Sequence, residues 1–351
     1  MQYKLLDILR CPVTKSKLTL RVIKEKEQLF EGEKFTTIES GILFSEHDWF
    51  YPIIEGIPRL CVEAFLDYRE FLVLHLENFE QRSKKLKENK TDFINQTIKN
   101  NKRTKESFTK EWAVYDYEKD KTWDAGDEEM LKRFLQETNE TNTSIAGKII
   151  FDAGCGNGKL NCLLGNNGIT NIAMDFSNSV ETANKFNVSQ HVHFIQGDVQ
   201  FPPVALNYFD IIHSSGVLIH TKNTELSLSC LIPALKPKGK ISIFLYHPRK
   251  DFIHNLFNKI RKVTSKLPLG VQYYLYLFTL FPISFCVKRY KGNKQNSREM
   301  MVDILDWFTP EFRSEHSHYE VATWFLKRNF ADVQVTTDGM FGFNTIAIKN
   351  D

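Results

Sequence analysis

The spacing of apolar positions changes along this chain, and each change predicts a different kind of element. From about residue 145, short and mostly apolar runs alternate with helical stretches. Strands that are apolar on both faces and alternate with helices are typical of a parallel sheet covered on both sides. The predicted strands are KIIFDAG, ITNIAMDFS, HVHFIQGDV, FDIIHSSGVL, KISIFLY, DVQVTT and NTIAIK. The pattern therefore predicts an α/β fold with a mostly parallel, seven-stranded sheet.

The same patterning divides the chain into five predicted parts. Residues 1–65 hold β-branched and aromatic runs broken by Gly and Pro, which predicts a small β-rich domain. Residues 66–144 are polar and predict a helical linker or cap. Residues 145–250 form the predicted core, 251–315 an apolar helical insertion, and 316–351 a helix with the last two strands.

The insertion contains about twenty mostly apolar residues, 267–287, which is near the length of a membrane span. Gln272 and Pro282 interrupt this run, and Lys and Arg flank it on both sides. The arrangement favours a lid or helix pair packed on the core. Peripheral contact with the membrane interface is an alternative, and a true span is a third.

The composition of the chain limits the cellular locations and the binding partners that we expect. The 46 Lys and Arg against 43 Asp and Glu give a net charge of +3, which disfavours nucleic acid as a partner. The six cysteines include no CxxC pair and predict reduced thiols. The charged N-terminal segment does not match a secretory signal. We therefore expect a cytoplasmic protein, with the inner face of a membrane as a peripheral location.

The strongest chemical signal is the segment 149–160, IIFDAGCGNGKL. A strand ends at Asp152, then Gly154, Gly156 and Gly158 alternate before a helix begins. Glycines allow a positive φ and a close approach of ligand to backbone, and the helix N-terminus presents free N–H groups. The pattern predicts a nucleotide-type site at the carboxyl end of the strand.

The details of this turn distinguish between ligands. Leu160 follows Lys159 where a phosphate-binding loop needs Ser or Thr, and the glycine spacing differs from the dinucleotide pattern. An acid just before the glycines suits a ligand with a positive end, such as the ammonium and sulfonium of S-adenosylmethionine.

Two further acids follow the next two predicted strands. Asp175 ends the second strand, where a carboxylate can accept both ribose hydroxyls. Asp198 follows the third strand and can accept from an adenine amine, with Val199 as apolar cover. Each alone could be a helix cap, but three acids in register with three strands favour a binding site.

Residues 149–247 resemble the class I S-adenosylmethionine-dependent methyltransferases. FDAGCGNGKL resembles the first motif of that family, MDFS its ribose-binding strand end and GDVQFPP its adenine-contacting loop. The resemblance implies a Rossmann-like methyltransferase fold with S-adenosylmethionine as cofactor. The cofactor-binding residues that it implies are Asp152, Gly154, Cys155, Gly156, Asn157, Gly158, Asp175, Phe176, Asp198, Val199 and Ser214.

A narrower resemblance is to bacterial methyltransferases with an N-terminal zinc-ribbon-like domain. LLDILRCPVTKSKL and ESGILFSEHDWFYPIIEGIPRL resemble its halves, and SFTKEWAVY and DWFTPEFRSEHSHYEVATWF resemble further signatures of the group. The zinc ligands are degenerate, because the two knuckle positions retain only Cys11 and His47, and two ligands cannot hold a structural zinc. We therefore expect a metal-free ribbon and no metal site.

Methyl transfer to an oxygen or nitrogen needs positioning and often a base. His220, in the loop after the fourth strand, is the first candidate, and Tyr246 at the end of the fifth is the second. The other candidates are His213, His247, His316 and His318.

Missing motifs narrow the acceptor. The fourth strand is followed by Ser214-Ser215-Gly216-Val217, not by the Asn/Asp-Pro-Pro-Tyr/Phe segment typical of amine methylation. An oxygen on a small-molecule, glycan or lipid-linked acceptor is therefore the favoured target. An RNA or protein methyltransferase and a non-catalytic S-adenosylmethionine-binding protein are the alternatives. The sequence predicts no oligomeric state.

Overall fold

The computed structural model describes residues 1–122, 125–249 and 251–351, which form one sheet flanked by helices. Over these residues the strands are β1 (Leu18–Phe30), β2 (Glu33–Ser45), β3 (Phe50–Ile54), β4 (Ile57–Leu60), β5 (Ile150–Ala153), β6 (Asn171–Asp175), β7 (Val192–Gly197), β8 (Phe209–Ser215), β9 (Leu235–Tyr246), β10 (Phe330–Asp338) and β11 (Gly342–Lys349). The α-helices are α1 (Ala64–Asp67), α2 (Arg69–His75), α3 (Phe79–Val114), α4 (Asp127–Thr138), α5 (Lys159–Asn166), α6 (Ser179–Phe186), α7 (Thr224–Leu231), α8 (Phe252–Thr264), α9 (Leu269–Phe278), α10 (Leu280–Tyr290), α11 (Ser297–Phe308) and α12 (His318–Leu326).

The sheet is larger and more mixed than the sequence predicts. Its order is β1-β2-β3-β4-β7-β6-β5-β8-β9-β11-β10. The seven predicted strands are β5 to β11, and they form the part of the sheet with the spatial order β7-β6-β5-β8-β9-β11-β10. The last two of them along the chain, β10 and β11, are antiparallel to their neighbours. The prediction of a mostly parallel sheet with seven strands was wrong in this detail. Four N-terminal strands extend the same sheet to eleven strands, and parallel and antiparallel pairs are equal in number among the described residues.

The continuation depends on a parallel pairing between β4 and β7, in which Arg59 lies opposite Gln196. Arg59 is almost fully buried, bonds to Glu181 across 2.9 Å and stacks over the ring of Tyr68. This buried guanidinium ties the N-terminal strands to β7 and α6. The small β-rich part at the N-terminus is therefore joined to the core by backbone pairing and a buried ion pair.

Cys11 and His47, which the resemblance places at the two knuckle positions, lie in different surroundings. Cys11 is buried, and its sulfur lies 3.2 Å from the hydroxyl of Tyr51. His47 is exposed at the turn between β2 and β3. The apolar core continues from this region into the main sheet, since Trp49 and Phe65 share one cluster with Phe151.

The insertion after β9 folds into the four helices α8 to α11. Tyr276 of α9 packs with Leu305 and Phe308 of α11, and Val114 at the end of α3 lies against the same cluster. α11 begins after Asn296, whose side chain accepts from the N–H groups of the first turn. The helices therefore pack on α3 and on one another over the carboxyl end of the sheet.

Within the described residues, no single helix is both long enough and apolar enough to cross a membrane. The pair α9 and α10, bent by 45° at Thr279, meets the length and composition of a span when taken together.

Candidate functional site

A cavity of about 1180 Å³ opens at the carboxyl ends of the parallel strands. Its walls come from the turn after β5, the ends of β6 to β9, helix α3 and the insertion helices. The volume exceeds the upper end of the range usual for one small ligand, so it can accommodate a cofactor and an acceptor together.

The glycine turn after β5 forms one wall. Gly154 and Gly156 have φ of 105° and 53°, which favours glycine. A Cβ on Gly154 would lie 2.2 Å from Val217, and one on Gly156 would lie 2.7 Å from the Trp112 ring. The backbone therefore approaches the side chains of the opposite wall as closely as glycine allows.

Asp175 ends β6 beside this turn. One carboxylate oxygen accepts from the Gly156 N–H at 2.8 Å, and the other accepts from the N–H and hydroxyl of Ser177. Burial raises the pKa of Asp175, although these hydrogen bonds oppose the shift. These hydrogen bonds fix the carboxylate at the end of β6, where the sequence predicts the ribose contact.

Asp152 is held differently from the sequence-based expectation. Its two oxygens bond to His213 Nδ1 at 2.9 Å and Asn161 Nδ2 at 3.0 Å, and His213 Nε2 bonds to Glu137 at 2.9 Å. Burial opposes the charged imidazole, but the hydrogen bonds to both carboxylates outweigh it and raise the pKa of His213 to about 10. His213 is therefore a protonated clamp between two acids, which removes it from the candidate bases.

Asp198 follows β7 and contacts helix α3. Its carboxylate accepts from Asn101 Nδ2 at 2.6 Å and from the Gln200 N–H at 2.8 Å. Burial raises the pKa of Asp198 to about 6. Val199 lies beside it on the cavity wall. The carboxylate predicted to accept a hydrogen bond from the adenine amine is thus present, and the side-chain amide of Asn101 on α3 donates to it.

Most of the other predicted cofactor residues line the same cavity. They are Cys155, Asn157 and Phe176. Gly158 and Ser214 lie outside the lining. Gly158 packs against Phe194, and the Ser214 hydroxyl donates to the Ala153 carbonyl at 2.8 Å. Ser215, the next residue, reaches the cavity instead.

His220 lies deeper in the cavity, on the short turn after β8. Its Nδ1 lies 3.0 Å from the Phe312 carbonyl oxygen, which can only accept, so Nδ1 carries the proton. Nε2 has no hydrogen-bond partner among the described residues. Burial lowers the pKa of His220 to about 3, so the ring is neutral and presents a lone pair.

Tyr246, the second predicted catalytic residue, lies beside it at the end of β9. Its hydroxyl donates to Asp306 at 3.2 Å, and the other oxygen of Asp306 lies 3.8 Å from His220 Nε2. Arg313 lies flat over the Tyr246 ring, 4.4 Å from its centre. Burial raises the pKa of Tyr246 well above its usual value, so the hydroxyl keeps its proton.

Glu111 of α3 is the most unusual group in the cavity. The side chain is fully buried, and neither carboxyl oxygen has a hydrogen-bond partner among the described residues. Burial, with the charges of Asp306 and Asp175, raises the pKa of Glu111 well above its usual value. A buried carboxyl without a partner is costly, so its presence on a cavity wall points to a ligand.

Three further residues, Glu111, Asn101 and Asp306, belong to the site but were not predicted from the sequence as site residues. Asn101, Thr104, Phe108 and Glu111 all line the cavity, and their spacing of three and four residues places them on one face of α3. That spacing in the sequence could have indicated that these four side chains lie together. Glu111 also lies in SFTKEWAVY and Asp306 begins DWFTPEFRSEHSHYEVATWF, the two signatures noted by resemblance.

One cluster of metal-ligating side chains occurs among residues the structure describes. His247 and His318 lie against Asp338 at the cavity rim, with nitrogen–oxygen distances of 2.8 and 3.6 Å. The His318 and Asp338 side chains are about half exposed, and His247 bonds to Asp338 directly. The hydrogen bond between His247 and Asp338 at the surface explains why these side chains lie together, and we assign no metal to them.

Residues 151–243 match the family model described as a methyltransferase domain. The matched segment contains the glycine turn, Asp175, Asp198 and His220. It confirms the predicted class, an S-adenosylmethionine-dependent methyltransferase, and S-adenosylmethionine as the cofactor. The residues fit that cofactor, because the glycine turn and the two strand-end carboxylates of Asp175 and Asp198 line the same cavity.

Comparison with curated proteins gives no significant match. Among solved structures, a Bordetella parapertussis protein is 14% identical, with 63% of this chain and 66% of that chain covered and a TM-score of 0.40. Magnesium protoporphyrin IX methyltransferase from Synechocystis is 15% identical, with 70% and 98% covered and a TM-score of 0.41. A Thermotoga maritima S-adenosylmethionine-dependent methyltransferase is 14% identical, with 62% and 89% covered and a TM-score of 0.38. Likenesses this distant carry no argument about the acceptor.

Proposed function

We propose that this protein transfers the methyl group of S-adenosylmethionine to an oxygen of a small-molecule, glycan or lipid-linked acceptor. The observation that supports it most strongly is the His220 lone pair. His220 lines the same cavity as the glycine turn and Asp175, and its Nε2 has no hydrogen-bond partner among the described residues. A cofactor site and an unpartnered neutral base in one cavity are the parts that methylation of a hydroxyl requires.

Bound S-adenosylmethionine supplies a methyl group already activated by its sulfonium. Asp175 would hold the ribose and Asp198 the adenine amine. His220 Nε2 would receive the hydroxyl proton of the acceptor as the acceptor oxygen bonds to the methyl carbon, while the bond from that carbon to sulfur breaks and S-adenosylhomocysteine leaves as a neutral thioether. The Phe312 carbonyl fixes the tautomer in which Nε2 is free.

The neighbours of His220 suit that proton transfer. The carboxyl of Asp306, 3.8 Å from Nε2, favours the imidazolium that forms. The Tyr246 hydroxyl donates to Asp306 and holds it in position. Tyr246 therefore acts in this proposal as a positioning residue, because burial keeps its hydroxyl protonated.

Glu111 adds a polar contact for the acceptor. Glu111 lines the cavity, and its carboxyl has no hydrogen-bond partner among the described residues, so a hydroxyl or amine group of the acceptor could satisfy it. The opposite end of the cavity is apolar, with Phe257, Leu280 and Ile283 among its lining residues. An acceptor with a polar head and an apolar body fits both ends.

Location and the N-terminal part complete the proposal. We place the reaction in the cytoplasm, as the reduced thiols favour, and we infer that residues 1–65 are a metal-free relative of a zinc ribbon. Cys11, bonded to Tyr51, is consistent with a ribbon position that has become part of the apolar core.

The first experiment is calorimetric titration of the purified chain with S-adenosylmethionine and S-adenosylhomocysteine, with NAD as control. We expect micromolar binding of the first two and none of NAD. An acceptor screen over sugars, lipid-linked intermediates and hydroxylated small molecules follows. Failure of both adenosyl ligands to bind would contradict the proposal.

An RNA acceptor is the alternative that one feature supports weakly, the excess of Lys and Arg in residues 82–110 of α3. RNA binding driven by those charges would weaken steeply as the salt concentration rises. Binding that is absent, or unchanged with salt, eliminates this alternative.

A further inference from the structure

The helices α8 to α10 combine exposed apolar side chains with an unusual charge. Residues 252–294 contain eight Lys and Arg and no Asp or Glu, although the whole chain is nearly balanced. Lys259, Lys262 and Lys266 are exposed on or just after α8, and Arg289 and Lys291 are exposed at the end of α10. This part of the surface is therefore strongly positive.

The apolar residues on these helices form exposed stripes. On α8, Phe252, Leu256 and Val263 are spaced by four and seven residues, which places them on one face, and Phe252 is 81% exposed. An apolar face this open on an otherwise packed molecule marks a surface that meets another phase or partner.

The other two helices repeat the pattern. Val271, Tyr274 and Phe278 lie on one face of α9, where Phe278 is 74% exposed. Tyr290, at the end of α10, is 93% exposed. Tyrosine at such a boundary suits a membrane interface, because its ring enters the apolar layer while its hydroxyl stays in water.

The exposed apolar surface continues into the cavity. Ile253, Ile283 and Val287 are exposed and also line the cavity, as are Met340 and Phe341 at the turn between β10 and β11. Residues that are both exposed and cavity-lining mark its mouth. The mouth of the proposed acceptor site is therefore rimmed by apolar side chains on the same helices.

We propose that α8, α9 and α10 dock on the surface of an anionic lipid bilayer, and that the cavity receives its acceptor from that bilayer. The second clause rests on the proposed function, whereas the docking itself does not. Basic residues beside exposed apolar stripes match a bilayer whose headgroups are negative and whose interior is apolar. The cavity mouth then faces the lipid phase, and the acceptor is a lipid or lipid-linked molecule.

The test is flotation of the full chain with vesicles of phosphatidylcholine, with and without phosphatidylglycerol. The apolar variant is Phe252→Ser/Phe278→Ser/Tyr290→Ser, none of which lines the cavity. Its matched control is Leu74→Ser/Leu206→Ser/Leu326→Ser, which removes exposed apolar side chains elsewhere. The charge variant is Lys259→Gln/Lys262→Gln/Lys266→Gln, and its control is Lys84→Gln/Lys90→Gln/Lys102→Gln on α3.

We expect the wild-type chain to float with phosphatidylglycerol vesicles, and the apolar and charge variants to lose at least about ten-fold in binding. The two control variants should bind as the wild type does. No flotation, equal flotation with neutral vesicles, or an equal loss in the controls would overturn the inference.

A second copy of the chain is the other occupant that these stripes could bury. Sedimentation velocity without lipid distinguishes bilayer docking from self-association. If the helices dock on a bilayer, the wild-type chain and the apolar variant should have the same sedimentation coefficient. A dimer that the apolar variant dissociates, together with no flotation, would assign the surface to self-association. S-adenosylmethionine titration of the variants controls for folding, and its failure in the wild type would refute the proposed function alone.

Discussion

The His220 imidazole donates from Nδ1 to the Phe312 carbonyl oxygen across 3.0 Å, and this one bond decides which nitrogen keeps its lone pair. Phe312 lies in the segment that follows the insertion helices, far from His220 in the sequence. The insertion segment therefore sets the tautomer of a residue on the turn after β8.

His220→Ala is expected to spare cofactor binding and to slow turnover by about 10²–10⁴-fold, the usual contribution of a positioned base. Turnover and S-adenosylmethionine titration measure the two effects separately. Because burial lowers the pKa of His220 to about 3, protonation of His220 should cause no loss of rate as pH falls through 6.5. A loss in that range is expected instead from Asp198 and Asp306, because burial raises the pKa of each carboxyl to about 6. Normal turnover in His220→Ala would remove His220 from the mechanism.

Asp175→Ala should weaken S-adenosylmethionine binding by about 1–3 kcal/mol, because it removes the acceptor for the ribose hydroxyls. Asp175→Asn retains one acceptor oxygen and should lose less. Calorimetric titration measures both, and Asp92→Ala, at an exposed site on α3, is the control. Unchanged affinity in Asp175→Ala would mean that the ribose lies elsewhere.

His213→Gln is expected to lower the free energy of unfolding by about 3–5 kcal/mol, because Asp152 and Glu137 would then be buried acids without a counter-charge. The pKa of His213 is raised from 6.5 to about 10, so its contribution is complete below pH 6.5 and is lost as pH rises to 10. Urea unfolding at these two pH values measures it.

The double variant His213→Gln/Glu137→Gln is the matched control for that experiment, since it removes one of the two stranded acids. It should recover part of the lost stability. A His213→Gln protein as stable as the wild type at both pH values would show that the imidazole is neutral in the fold.

Glu111→Gln is expected to stabilise the protein at pH 7 and to impair the acceptor step. Burial raises the pKa of Glu111 well above 4.5, so at pH 7 the folded protein takes up a proton that the unfolded chain has released, and this proton uptake lowers the free energy of unfolding. That effect vanishes at and below pH 4.5. The gain in unfolding free energy should therefore shrink as the pH is lowered.

Steady-state kinetics complete the test of Glu111. If its carboxyl contacts the acceptor, the KM for acceptor should rise in Glu111→Gln while S-adenosylmethionine affinity is unchanged. A variant with wild-type stability and kinetics would assign Glu111 no role in this cavity.

The strands and the cofactor end of the cavity were predictable because their signals are local. The glycine alternation and the acids Asp175 and Asp198 each follow an apolar strand, and parallel strands bring their carboxyl ends to one edge. The role of Asp152 was less predictable. An acid before the glycines suggested a positive ligand, but the positive group found beside it is His213, more than sixty residues away.

The acceptor end could not be predicted in the same way, because it is built from distant segments. Glu111 lies on a helix whose composition suggested a solvated linker, and Asp306 lies in an insertion known from its sequence only as apolar. Nothing in the spacing between them indicates that they meet beside Tyr246. Likewise, the sequence of β4 carries no sign that it pairs with β7, because edge pairing depends on backbone groups and not on side chains.

The pairing of β4 with β7 has a consequence for shortened forms of this protein. Without the N-terminal strands, the backbone N–H and C=O groups of β7 would face water along an apolar strand, a template for intermolecular strand addition. Gln196, opposite Arg59, would lose its neighbour on the strand that leads directly to Asp198. A fragment that begins after residue 65 would therefore be prone to aggregate, and the loop that holds Asp198 would lose its outer support.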